Sequence, residues 1–358
     1  MRFVIAAGGT GGHLFPGVAV GEVLLARGHE VMLLISEKEI DAVATRGRDD
    51  FRIERIAGMG MPRLLSPAIF GFAWRFWRSL RHCKALFREW APAAVLGMGG
   101  FTSTAPILAG RSRGVPVFVH ESNAIPGRAN RLNARFVTSV LLGFEECRRH
   151  FPKARCEVTG TPIRNALLRP VDKIAALTRF GLTPGRTTML VMGGSQGAHG
   201  INTAAGGALP KLKSYAWQAI HLSGAKDESA TRAAYESHGV PASVAAFHHQ
   251  MEEAYGASDF AIARSGAASL AELSHFGLPA ILIPYPFAAD DHQTANAKIF
   301  EAAGAGVLLK ESEATADGLS RQIASFLESP ERLAAMSGCS RKLAPERAGI
   351  ANPKSDPR

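Results

Sequence analysis

At 358 residues, with 46% hydrophobic and 20% charged side chains, the sequence exceeds one ordinary core and is too apolar for a disordered protein. No run reaches the ~20 uncharged apolar residues of a spanning helix, and the glycines after Ala7 cut the first apolar run too short for a signal peptide. The 41 Lys and Arg against 31 Asp and Glu, a formal charge of +10, call for an anionic partner: nucleic acid, an acidic membrane surface or a phosphorylated substrate.

The chain opens on a predicted strand, Arg2–Ala7, that breaks into Gly8-Gly9-Thr10-Gly11-Gly12-His13 and continues as an apolar helix past Pro16. A glycine turn at that junction presents bare backbone N–H groups at a helix N-terminus, where an anionic group binds. Thr10 and His13 interrupt the dinucleotide spacing and no Gly-Lys-Ser/Thr follows, so neither a Rossmann fingerprint nor a Walker loop is present. Further strands are predicted at Glu30–Ile35, Phe51–Ile56, Ala94–Gly97, Val115–His120 and Ser139–Leu142. Their alternation with helical stretches predicts a parallel sheet covered on both faces.

Within this series, Phe72–Trp90 reads as a helix. Phe72, Phe76, Leu80, Cys83, Phe87 and Trp90 share one face, suited to packing on the sheet. Trp74, Trp77, Arg81, Lys84 and Arg88 fall on the other, and tryptophan interleaved with cations suits an anionic membrane surface. Met59–Leu65 adds apolar bulk just upstream. The alternative is an ordinary solvated face. No recognised nucleic-acid motif accompanies the cations, so no nucleic-acid partner is expected.

Gly97-Met98-Gly99-Gly100-Phe101-Thr102 and His120-Glu121-Ser122-Asn123 end two successive strands, on the same edge of the sheet as His13. His120 and Glu121 read either as a satisfied polar pair or as acid–base groups.

A second series runs through Thr188–Met192, Gln218–Leu222, Val244–Phe247, Phe260–Ala263, Ala280–Ile283 and Gly306–Leu309. Its first strand enters Gly193-Gly194-Ser195-Gln196-Gly197, whose backbone donors and Ser195 hydroxyl suit a diphosphate. The expected architecture is α/β: two Rossmann-like, doubly wound parallel-sheet domains, 1–162 and 163–343, facing a central cleft, with a loosely held polar tail at 344–358. Arg264-Ser265-Gly266-Ala267-Ala268-Ser269-Leu270-Ala271-Glu272 repeats the strand–turn–helix pattern. Ser265-Gly266 is expected to cap that helix, and Glu272 to project a carboxylate of the kind that accepts ribose hydroxyls, a solvated glutamate being the alternative. Beyond Pro284-Tyr285-Pro286, Gln293 and Asn296 share a helical face and suit sugar hydroxyls, with Asp290 or Asp291 as the helix cap. Cys83, Cys147, Cys156 and Cys339 are scattered, without metal-ligand spacing, and read as free thiols of a reducing cytoplasm.

Taken in order, Gly8–Pro16, Gly97–Phe101, His120–Asn123, Thr159-Gly160-Thr161-Pro162-Ile163-Arg164, Gly193–Gly197, Arg264–Ala267 and His292–Asn296 resemble the MurG family of N-acetylglucosaminyltransferases, over nearly the whole chain. The resemblance implies a GT-B fold and an inverting, metal-independent transfer from UDP-GlcNAc, with no cofactor. The acceptor would be lipid I, undecaprenyl-diphosphoryl-MurNAc-pentapeptide, at the cytoplasmic face of the bacterial plasma membrane. Matched motif by motif, donor contacts fall on Thr10, Gly11, Gly12, Asn123, Arg164, Ser195, His248 (by its backbone), Ala267, Ala268, Ser269, Leu270, Ala271, Glu272 and Gln293. Arg264 and Asn296 are further contact candidates. A base must take the acceptor proton, with His13 first and Glu121 second.

The sequence departs from the family pattern at Ser122, where a glutamine is usual, and at Thr161, where an asparagine is usual. The Phe-Ile-Asp-Asp-Met pattern is here Phe247-His248-His249-Gln250-Met251, which spares a backbone contact but not an aspartate side-chain role. The competing readings are another GT-B nucleotide-sugar enzyme, such as a lipid glycosyltransferase with a different acceptor or a UDP-GlcNAc 2-epimerase, and, more remotely, a basic nucleic-acid-binding protein.

Overall fold

The computed structural model describes residues 1–8, 11–37, 48–58, 60, 67–194 and 197–344. Thr10, Ser195, nearly all of the 59–65 segment and the polar tail from 345 onward lie outside the described residues. The described chain forms two compact units, Met1–Pro162 and Ile163–Ala344.

The first unit carries seven strands: β1 Arg2–Ala6, β2 Glu30–Ser36, β3 Arg52–Ile56, β4 Ala94–Gly97, β5 Val117–Glu121, β6 Ser139–Leu142 and β7 Cys156–Val158. They pair in parallel in the order β3-β2-β1-β4-β5-β6-β7. The winding direction reverses between β1 and β4, where Ala6 is in register with Gly97. The turns after these two strands therefore leave the sheet side by side, at the switch point where such sheets bind ligands. The edge strand β7 was not expected. Its three residues, half-buried or exposed, carry no apolar run to announce it.

The helix Gly11–Ala26 seats unusually close to the sheet. A Cβ on Gly17 would lie 2.5 Å from the Ala7 Cβ, and one on Gly21 would lie 2.6 Å from the Phe51 ring. The bare backbone at these two positions, one turn apart, outweighs the ~1 kcal/mol that each glycine costs a helix.

The helix predicted at Phe72–Trp90 extends back to Ala68. Cys83, Phe87 and Trp90 are buried as expected, joined by Ser79 and Leu86, and Phe76 and Leu80 pack at the rim of the same cluster. The opposite face stays open: Trp74 is 57% exposed, Trp77 51% and Phe70, one turn earlier, 79%. Arg78 lies over the Trp74 ring at 4.7 Å and Arg81 over Trp77 at 4.6 Å. Arg88 is exposed and Lys84 is half-buried on that side. The helix stops where Ala91 turns left-handed (φ 48°) before Pro92.

The second unit has six strands: β8 Thr187–Met192, β9 Trp217–Leu222, β10 Ala242–Ala245, β11 Phe260–Ala263, β12 Ala280–Leu282 and β13 Gly306–Leu308. They are likewise parallel, in the order β10-β9-β8-β11-β12-β13. Here the reversal falls between β8 and β11, with Met192 beside Ala263. That places the second glycine turn next to the Arg264–Gly266 turn. Trp217, Phe260 and Phe326 anchor a core dominated by apolar side chains. All four cysteines are free.

Candidate functional site

In the first unit, His13 lies near the start of its helix, half-buried against the β4 turn. A Cβ at Gly99 would sit 2.8 Å from His13 Nε2, and one at Gly100 3.8 Å from Nδ1. Both glycines have positive φ, 116° and 71°, so the turn is open to residues without a Cβ and the imidazole occupies the vacated space. Gly11 and Gly12 open the same helix and are partly exposed.

Glu121 ends β5 and is buried, yet both oxygens are filled. Oε1 accepts from the Asn123 N–H at 3.0 Å and the Asn123 amide at 3.1 Å. Oε2 accepts from the Gly127 N–H at 3.0 Å and the Asn130 amide at 2.9 Å. This is the bonding of a carboxylate that shapes a turn, and a carboxylate so engaged is poorly placed to abstract a proton. Asn123, expected among the donor contacts, commits its amide nitrogen to that turn.

His120 is buried alongside. Gly160 O can only accept, so His120 Nε2 carries the proton and donates to it at 2.9 Å. Nδ1 then accepts from the Ser122 hydroxyl at 3.2 Å. Burial drives the His120 pKa down to about 4 and the ring stays neutral. Of the two readings of His120, the structure favours the satisfied polar residue, and Ser122 has a partner the family glutamine position did not suggest.

In the second unit, Gly266 is the N-cap of the helix Ala267–Phe276, and no side chain caps it. Ser265 was expected to share that role; its hydroxyl instead donates to the Gln293 carbonyl at 2.8 Å. Ala268, Ser269 and Glu272 are half-buried in the first turns. Ala267, Leu270 and Ala271 are buried, and the Leu270 N–H already donates to Gly266 O. The N–H groups ahead of Leu270 are those that a helix start leaves without a partner inside the helix.

Glu272 turns its carboxylate inward. Oε2 accepts from the Tyr255 hydroxyl at 2.6 Å, and Oε1 lies 3.7 Å from Arg164 Nη2. Burial raises the Glu272 pKa, opposed by Arg164 and by the Tyr255 hydrogen bond. Sequence reasoning missed Tyr255, which sits inside the short helix Met251–Ala257 and gives no local sign of its partner.

Four further residues singled out in the sequence have partners within this unit or a backbone role of their own. Arg264, a further contact candidate, forms a two-pronged ion pair with Glu311 and donates to the Ile283 and Pro284 carbonyls at 3.1 Å. Its charge is balanced within the unit, and it clamps the turn after β12. Asn296, expected at a sugar hydroxyl, is fully buried and donates to Ser265 O at 3.1 Å, so it braces the turn from behind. Neither Asp290 nor Asp291 caps the next helix with its side chain; both adopt left-handed backbone, φ 50° and 52°.

Gln293, at that helix start, accepts from the Tyr285 N–H at 2.9 Å. His248 packs its ring on Phe180, centroids 5.0 Å apart. Among the described residues, no group of three or more His, Cys, Asp or Glu is arranged to hold a metal. No described helix is long and apolar enough to cross a membrane.

Two parallel-sheet units, each with a glycine turn at its switch point, agree with the sequence models that match this chain. Residues 3–142 match the glycosyltransferase family 28 N-terminal domain, and residues 188–351 the family 28 C-terminal domain. The protein is therefore a two-domain glycosyltransferase of that class.

The relatives narrow this further. The UDP-N-acetylglucosamine--N-acetylmuramyl-(pentapeptide) pyrophosphoryl-undecaprenol N-acetylglucosamine transferase of Geobacter sulfurreducens is 37% identical over 348 residues, covering 96% of this chain and 94% of that one. The protein of the same name from Syntrophus aciditrophicus is 37% identical over 344 residues, covering 93% and 91%. The crystal structure of Acinetobacter baumannii MurG superposes with a TM-score of 0.77 at 27% identity, covering 97% of each chain. The chain belongs to the MurG family of N-acetylglucosamine transferases. A Listeria monocytogenes structure described as a UDP-N-acetylglucosamine 2-epimerase, at TM-score 0.67 and 13% identity, shares the fold alone. The fold by itself does not separate transferase from epimerase; the full-length sequence identity does.

Proposed function

We propose that this protein transfers GlcNAc from UDP-GlcNAc to the MurNAc 4-hydroxyl of undecaprenyl-diphosphoryl-MurNAc-pentapeptide, converting lipid I to lipid II with inversion. The observation that carries this reading is 37% identity over 96% of the chain to enzymes that bear that name. The second unit takes the nucleotide. Its free N–H groups at Ala267–Ser269 and the glycine turn with Ser195 meet the diphosphate charge, Glu272 accepts ribose hydroxyls, and the His248 backbone meets the uracil. Arg164, Gln293, Asn123 and the Thr10–Gly12 turn complete the donor contacts.

His13 is the base. It receives the proton of the acceptor hydroxyl as oxygen attacks the anomeric carbon opposite the leaving UDP. Glu121 fixes the turn beside it. The Phe70–Trp74–Trp77 face with Arg78, Arg81 and Arg88 supports peripheral attachment to an anionic leaflet, on the cytoplasmic side where the nucleotide sugar is made available.

The test is transfer of labelled GlcNAc from UDP-GlcNAc to a lipid I analogue, with a metal chelator present. A disaccharide product under those conditions is the expected result. Consumption of UDP-GlcNAc without acceptor, yielding an epimer, would overturn the reading in favour of the epimerase.

A further inference from the structure

We infer that Tyr255 is a positioning residue for nucleotide recognition: its hydroxyl pins Glu272 Oε2, so that the other carboxylate oxygen is presented to the ribose. The inference rests on the reading of Glu272 as the ribose-binding carboxylate.

Three observations carry it. The Tyr255 side chain is buried, and its ring stacks on Phe276, centroids 5.1 Å apart with planes at 26°. Phe276 lies one turn beyond Glu272 on the same helix, so the tyrosine is keyed to the element it orients. Its hydroxyl reaches Glu272 Oε2 at 2.6 Å, with Met192 Sδ at 3.6 Å as its other neighbour. Burial holds the phenol protonated, far above its ordinary range, which makes it the donor and the carboxylate the acceptor.

The chemistry requires such a partner. A carboxylate that receives ribose hydroxyls must accept hydrogen bonds, and a protonated acid would waste one oxygen as a donor. Burial pushes Glu272 toward the protonated form, while the Tyr255 hydrogen bond and the Arg164 charge push back. Tyr255 thus fixes both the rotamer and the acceptor character of Glu272 without touching substrate.

The experiment measures binding of UDP and of 2′-deoxy-UDP and 3′-deoxy-UDP to the full chain, by calorimetry, in wild type, Tyr255→Phe, Glu272→Gln and the double variant. Wild type is expected to prefer UDP over the deoxy ligands. Tyr255→Phe should weaken UDP binding roughly tenfold, as for loss of a hydrogen bond to a charged group, and shrink that preference. The double variant should be no worse than Glu272→Gln. In steady-state transfer the donor KM should rise in Tyr255→Phe by more than kcat falls, a split that a general loss of packing would not give.

Phe276→Leu, which loosens the ring and keeps the hydroxyl, should shrink the preference less. A wild type indifferent to the ribose hydroxyls overturns the Glu272 reading, and this inference with it. A preference lost in Glu272→Gln but intact in Tyr255→Phe overturns the role of Tyr255 alone.

Discussion

Gly99 makes room for His13: a Cβ at position 99 would stand 2.8 Å from the imidazole Nε2, where no real side chain fits. The φ of 116° at Gly99 adds strain for any other residue. Gly99→Ala is therefore expected to displace the imidazole and slow transfer at least tenfold, ~1.4 kcal/mol of barrier. His13→Ala should cost a similar factor, and the double variant no more than either. Steady-state kcat on a lipid I analogue checks this; a Gly99→Ala enzyme at full rate would separate the glycine from the histidine.

Glu121→Gln should destabilise the first unit even though the two side chains are nearly the same size. Four donors converge on the carboxylate. An amide offers one acceptor oxygen and turns its own N–H groups toward two of those donors. The expected loss is about 2–3 kcal/mol, read as a lower denaturant midpoint at unchanged slope. A variant of wild-type stability that fails only in turnover would instead make Glu121 the base.

These two sites also mark how far sequence alone reaches. Buried parallel strands read directly as apolar runs, and the glycine turns at Gly8 and Gly193 stand where a strand must hand over to a helix. The bonds that assign roles were hidden because their partners are distant or of the wrong apparent type. Arg264 finds Glu311 47 residues on, and Asn296 finds Ser265 31 residues back. Tyr255 sits between Ala254 and Gly256 and carries no motif that points to Glu272. The strand expected at Val244–Phe247 lies two residues earlier, at Ala242–Ala245, because Phe247 extends the apolar run although it is 60% exposed.

Each unit contains a buried neutral histidine, His120 and His221, whose pKa is held down at about 4 by burial. The unfolded chain titrates near 6.5 and so binds more protons than the native state between pH 6.5 and 4. Stability therefore rises with pH across that window and is lost as pH falls through it. At the limit each group contributes about 3 kcal/mol, from 1.36 kcal/mol per pKa unit. Chemical unfolding at pH 7, 5.5 and 4.5 checks the direction. His221→Gln, which keeps a polar contact to Asn202, should flatten the dependence; a slope that does not change would put the acid sensitivity elsewhere.

Trp74→Ser with Trp77→Ser should reduce binding to vesicles rich in anionic lipid and leave UDP affinity intact, and adding Phe70→Ser should deepen the loss. Co-sedimentation with vesicles, at low and at physiological salt, reads both the apolar and the electrostatic part. Unchanged sedimentation in the triple variant would remove this helix from membrane attachment.

The turn after β5 is organised around the Glu121 carboxylate at its root. Its shape is held by that side chain together with the Asn123 and Asn130 amides and the backbone N–H groups of Asn123 and Gly127 that reach it. Ser122 makes none of these bonds and takes a local partner in His120 instead. Replacement is therefore costly at Glu121, Asn123 and Asn130, whose side chains make these bonds, and cheaper at positions of the turn that make none.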